Sequence, residues 1–137
     1  PDIILVEPTG VAIPLGLKQA AAETVKKMPN VLEQAPIVTF VDAMRIDKLM
    51  NNVRRLVETQ IVEADAVLIN KVDAVSDERL RQVTEMVRGL NPEVGILYGS
   101  SRTGQGVREV ADIMMSGEAA TYDLTEAEDR FDRKYGE

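Results

Sequence analysis

Four short aliphatic runs punctuate this chain, and between them the apolar positions fall three and four residues apart. The runs predict strands at about 3–7, 37–42, 66–70 and 94–98. Each run is continuous rather than alternating, as expected of strands covered on both faces of a parallel sheet. The intervening stretches predict helices. Near 17–28, Leu17, Ala21, Val25 and Met28 share a face and Pro29 marks the end. Over 45–63, Ile46, Leu49, Met50, Val53, Leu56, Val57 and Ile61 form one stripe. Ser76 is placed to cap a third helix, with Asp77 and Glu78 in its favourable first turn. Leu80, Val83, Val87 and Leu90 then face inward until Asn91-Pro92 stops it. A last helix near 107–115 gathers Val107, Val110, Ala111 and Met114. Strand and helix in strict alternation predict an α/β fold, a parallel sheet with flanking helices.

Composition narrows the class further. At 137 residues, with 45% hydrophobic and 28% charged residues, the chain fits one globular domain with a real core. Its formal charge of −7 argues against a general nucleic-acid binder, which needs clustered Lys and Arg. No apolar run approaches the length of a membrane span, and no stretch reads as a signal peptide. The absence of Cys rules out disulfides and fits an expected cytoplasmic location. The expected domain covers residues 1–115, followed by an acidic tail at 116–137, partly helical or flexible. That tail holds seven acids against three bases. It reads as a solvated terminus, with an acidic docking segment as the alternative. The methionines read as core filler rather than as a soft-metal box.

Chemistry-bearing residues collect where strands end, the place where ligands bind in open α/β sheets. Directly after Ala66-Val67-Leu68-Ile69 comes Asn70-Lys71-Val72-Asp73. An Asn-Lys-x-Asp turn in that position is the guanine-reading element of GTPases. The Asp73 carboxylate can accept from the ring N1–H and from the exocyclic amine of guanine. Adenine presents an acceptor there and leaves the carboxylate unpaired, at a cost of roughly 1–3 kcal/mol or more. Asn70 can bond the purine edge and the turn itself, and the Lys71 stem can lie along the base. The competing reading is an ordinary polar turn. The first aliphatic run ends in Glu7-Pro8-Thr9-Gly10, a Walker-B-like pattern with a glutamate. Glu7 is the candidate magnesium ligand, and a backbone N–H near Gly10 is placed to meet a γ-phosphate, which only glycine lets the main chain approach so closely. Taken alone, that run could be a strand entering a proline turn. Asp42 follows the second run, either as a helix-opening cap or as a ligand. Ser100-Ser101-Arg102-Thr103-Gly104-Gln105-Gly106 follows the fourth. It can close over a base with its N–H groups or serve simply as a glycine-rich turn.

These residues carry a family resemblance. Ile3-Ile4-Leu5-Val6-Glu7-Pro8-Thr9-Gly10 resembles the hydrophobic-Glu-x-x-Gly signature of the CobW/HypB/UreG class of P-loop GTPases. Gly10 to Pro14, Val38 to Ala43, Gln60 to Asp73 and Leu90-Asn91-Pro92 look most like its CobW branch. The turn from Ser100 to Gly106 is closer to the Ser-Ala-Lys-Thr-Gly-x-Gly turn of the nickel-insertion members. The resemblance implies a partial P-loop NTPase (G domain) fold, with GTP or GDP and Mg2+ as cofactors. Glu7, Thr9 and Gly10 would be catalytic, and Asn70, Lys71, Asp73, Ser100, Ser101 and Arg102 would hold the nucleotide.

One family element is missing. No Gly-x-x-x-x-Gly-Lys-Ser/Thr occurs in the chain, so the loop that cradles phosphates is absent. The expectation is that residues 1–137 are the second half of a G domain, inactive alone, with the family's cysteine-rich metal site also outside the segment. Kinship implies GTP hydrolysis coupled to insertion or delivery of a metal or metal cofactor such as cobalamin, zinc or nickel. The implied partners are a guanine nucleotide and a metalloenzyme or cofactor-synthesis enzyme, and a homodimer is left open. The segment Pro8 to Gly16 is the expected nucleotide-sensing switch. The alternative is a non-catalytic α/β interaction module that has lost its phosphate loop.

Overall fold

The computed structural model describes residues 3–116. The expectations for 117–137, including most of the acidic tail, lie outside the described residues. The element order is α1 (Pro14–Lys27), β1 (Val38–Asp42), α2 (Ile46–Val62), β2 (Ala66–Asn70), α3 (Asp77–Leu90), β3 (Gly95–Gly99) and α4 (Val107–Met115). A short 3-10 turn at Val72–Ala74 leads from β2 towards α3. The strands form one parallel sheet in the order β1-β2-β3, so each crossover steps the same way across the sheet. Crossovers of one hand stepping in one direction put their helices on one face. Accordingly α2 and α3 pack side by side on a common core.

That core is built from Val41, Val67 and Ile69 of the sheet, Ile46, Met50, Val57 and Ile61 of α2, and Val83 and Val87 of α3. Each such side chain contributes about 1.5–3 kcal/mol on burial. The central strand β2 is buried from Ala66 to Ile69, as its unbroken aliphatic run demands. Ser76 caps α3 by accepting the Arg79 N–H at 3.2 Å. Asn91 does two jobs at its other end. It stops α3, and its side-chain amide donates to the Ile61 and Val62 carbonyls that α2 leaves open.

Three expectations give way. The strand expected at 3–7 is not formed: Ile3, Ile4, Leu5 and Val6 lie in irregular chain at 44–73% exposure. A strand is a pairing, not a property of one segment, and among the described residues β1 and β3 each pair only with β2. The α2 stripe is also incomplete. Leu49 and Val53 are exposed, and Val53 has a non-helical backbone (φ −138, ψ 42), so a kink turns that stretch out of register with the core. Lastly, α1 starts at Pro14, a residue suited to a first helical position, and so absorbs Gly16 from the expected switch segment. Its most buried side chain is Lys18 rather than one of the expected apolar four, of which Met28 is exposed.

Candidate functional site

At the carboxyl end of the sheet, the ends of β2 and β3 are fastened together by one side chain. The Asn70 carboxamide oxygen accepts from the Ser101 N–H at 3.0 Å and from the Lys71 N–H at 2.8 Å. Its amide nitrogen donates to Ser101 Oγ at 3.0 Å. Asn70 is therefore spent on holding two turns in register. Lys71 takes a left-handed backbone (φ 68), a strained choice for a non-glycine residue and one that concentrates at functional sites. Its ammonium reaches Asp42 Oδ2 at 2.8 Å. Asp42 Oδ1 meanwhile accepts the Met44 and Arg45 N–H groups at 2.9 and 3.2 Å, which makes it the cap of the turn into α2. Burial pushes the Asp42 carboxyl up. The Lys71 hydrogen bond and charge and the two backbone N–H groups outweigh that and leave it below its ordinary value.

Asp73 sits on the 3-10 turn with its main chain exposed and its side chain only 14% exposed. The buried Ser100 hydroxyl and the Arg102 guanidinium hold its carboxyl below the ordinary value, against a smaller opposing effect of burial. Arg102 approaches with Nε at 2.9 Å from Oδ2 and with Nη2 on the same oxygen. The turn from Ser100 to Gly106 is tightly bonded to itself. Thr103 and Gly104 N–H donate to the Ser100 carbonyl, Gln105 N–H to Thr103 Oγ1, and Ser100 pairs with Gln105 across the bridge. Those N–H groups serve the turn rather than standing open above it. Gly106 has φ +79, and a Cβ there would lie 2.9 Å from Gly99 Cα, so both conformation and space require glycine.

Glu7, Thr9 and Gly10 stand apart from this cluster. They belong to the exposed segment 3–10, in which the Thr9 carbonyl closes a turn by accepting Ala12 N–H. The Gln60 amide donates to the Gly10 and Ala12 carbonyls at 3.0 and 2.9 Å. Gln60 lies near the end of α2, which leads into the amino end of β2. So the structure ties Gly10 to the amino end of the sheet, while Asn70, Lys71, Asp73, Ser100, Ser101 and Arg102 gather at the carboxyl end. The expected convergence of the first run with the others is not reached in this arrangement.

Next to Gln60 lies a polar knot with no counterpart in the sequence reading. Lys18 Nζ donates to the Glu63 carbonyl at 2.7 Å and to Asp65 Oδ1 at 2.9 Å. Glu63 Oε2 accepts the Leu15 N–H and Asp65 Oδ2 the Ile37 N–H, each at 2.7 Å. Burial raises the Glu63 carboxyl, partly offset by Leu15 and Lys18. The available signal was a lysine beside the alanine run of α1, well ahead of the Lys26-Lys27 pair at its end, and two acids fronting the most apolar strand.

The comparisons with known proteins bear on the same stretches. Residues 1–98 match the CobW/HypB/UreG nucleotide-binding domain. The chain belongs to that family. Among curated proteins, zinc-regulated GTPase metalloprotein activator 1 of Schizosaccharomyces pombe is 28% identical over 128 residues. The match covers 90% of this chain and 30% of that relative's length. No solved structure gives a significant match. The three-stranded parallel sheet with its four helices is thus part of a P-loop nucleotide-binding fold of the CobW/HypB/UreG type. Among the described residues, no helix is long and apolar enough to cross a membrane.

Proposed function

We propose that the full-length protein is a guanine-selective GTPase whose hydrolysis cycle delivers or inserts a metal or metal cofactor. The observation that carries this is the pre-set carboxylate of Asp73, oriented by Ser100 and presented on two turns that Asn70 holds in register. A carboxylate so held suits the adjacent N1–H and amine donors of guanine. The buried Ser100 hydroxyl positions it, and the Lys71 stem borders the base. The metal-delivery half rests on the family and on the fission-yeast relative, a zinc-regulated GTPase metalloprotein activator.

Magnesium fits this chain only as a shared ion. Among the described residues no three acids, Cys or His cluster to cage a metal. Mg2+ characteristically keeps waters and leans on one or two carboxylates plus substrate phosphates. Glu7 is the carboxylate that would hold it, and the positive charge of the ion would neutralise developing phosphate charge. Thr9 and Gly10 would present backbone to the γ-phosphate. The Gln60 bonds to Gly10 and Ala12 hold this segment elsewhere, so seating a γ-phosphate would require Gln60 to let go, which is the switch.

The test is base selectivity in the full-length protein. GTP and GDP should bind roughly tenfold or more tightly than ATP and ADP by calorimetry. Asp73→Asn should weaken guanine binding and shift preference towards xanthine, whose carbonyl at the former amine position matches an amide donor. Equal wild-type affinity for ATP and GTP ends this reading.

A further inference from the structure

The base-reading carboxylate already has an occupant. Arg102 places two N–H groups, Nε and Nη2, on Asp73 Oδ2, while 77% of its own side chain stays in solvent. A guanidinium edge carries two neighbouring N–H donors on one planar carbon. N1–H and the exocyclic amine of guanine make the same pair. We propose that Arg102 is a resident stand-in for the guanine edge, an autoinhibitory contact that competes with the base for Asp73 and so sets weak nucleotide retention. The inference rests on the guanine reading given above.

Several features make the contact a gate rather than a rivet. The groups that orient Asp73 and its turn are buried or doubly bonded: Ser100 beneath it and Asn70 with three hydrogen bonds beside it. Arg102, by contrast, is mostly free of packing and can swing into water without disturbing either. The departing base would find the guanidinium ready to replace it. A ligand that never touches Asp73, such as an adenine nucleotide, gains nothing from its removal.

The experiment compares wild type with Arg102→Ala, Arg102→Gln and Arg102→Lys in the full-length protein. GDP and ADP are titrated directly, and guanosine is titrated as competitor of a fluorescent GDP analogue. Arg102→Ala and Arg102→Gln should tighten GDP and guanosine by the same factor, about two- to fivefold, the scale of an exposed two-pronged ion pair. ADP should not move. Lysine offers a point charge in place of a fork and should fall between. In wild type, guanosine affinity should rise as KCl goes from about 0.05 to about 0.5 M, because salt screens the competitor and guanosine carries no charge. In Arg102→Ala it should stay flat. Guanosine separates the gate from a phosphate contact: an Arg102 that grips phosphate would lose GDP affinity on removal and leave guanosine unchanged, which overturns the proposal. Retained preference for GDP over ADP with no tightening overturns it alone. Equal GDP and ADP affinity in every variant overturns the guanine reading with it. Should the variants fold poorly, the salt response of wild-type guanosine binding decides by itself.

Discussion

Replacing Lys18 by Met isolates what the polar knot under α1 contributes. Methionine keeps most of the unbranched stem, so packing changes little. What disappears is an ammonium 1% exposed and its bonds of 2.7 Å to the Glu63 carbonyl and 2.9 Å to Asp65 Oδ1. Removing one partner of a buried ion pair costs about 3–5 kcal/mol. Asp65 keeps 16% side-chain exposure and the Ile37 N–H, so water recovers part of its loss. About 2–4 kcal/mol is therefore expected, concentrated on the docking of α1. Hydrogen exchange reads it locally: the hydrogen-bonded amides of α1 beyond Pro14 should exchange about thirty- to several-hundredfold faster, while those of α3 hold.

The pH dependence gives a second reading. Burial raises the folded Glu63 carboxyl above its ordinary 4.5. A raised acid costs stability when ionised. The cost is absent below 4.5 and grows as pH rises through the folded value. Without Lys18 the carboxyl goes higher still. The difference between wild type and Lys18→Met should shrink as pH is lowered from 8 towards 5. Unchanged α1 protection in Lys18→Met, or a gap that widens in acid, refutes the reasoning.

Other outcomes follow from the same geometry. Glu7→Gln removes charge but not shape, so GDP affinity should hold while turnover falls about tenfold or more in a phosphate-release assay. Gly106→Ala should destabilise the protein by at least about 1–3 kcal/mol and weaken GDP binding, since it forces a strained φ and drives a methyl onto Gly99. Gly104→Ala has φ +84 but open space around it. It should cost only about 1 kcal/mol by thermal denaturation and spare the nucleotide.

What the sequence discloses depends on how far each feature reaches. The strand 66–70 and the helix 107–115 are found at their expected bounds, and Ser76 caps as expected. In each case the signal is local, either an aliphatic run or a capping side chain beside its helix. The turn from Asn70 to Asp73 is legible as a turn for the same reason, being four adjacent residues at the end of an unmistakable strand. Ile3 to Val6 misleads because its composition is that of a strand while its pairing depends on a neighbour. Lys18 is opaque because burying an ammonium is decided by Glu63 and Asp65, more than forty residues away. Arg102 is legible as part of a turn at the carboxyl end of the sheet but not as the partner of Asp73, since nothing in spacing says that a guanidinium 29 residues away reaches that carboxylate.

The Asn70 fastening also bears on which sequences can drift at this site. Its oxygen is held by the main-chain N–H groups of Ser101 and Lys71, which any residue except proline supplies. Only the bond to Ser101 Oγ needs a hydroxyl. Position 101 is therefore nearly free to change, and an alanine there keeps the tie, as in the Ser-Ala-Lys form of this turn. Position 70 has no such latitude. It must bring an acceptor within reach of two main-chain N–H groups from one short side chain, a demand that alanine fails by having no acceptor and glutamine by its extra methylene.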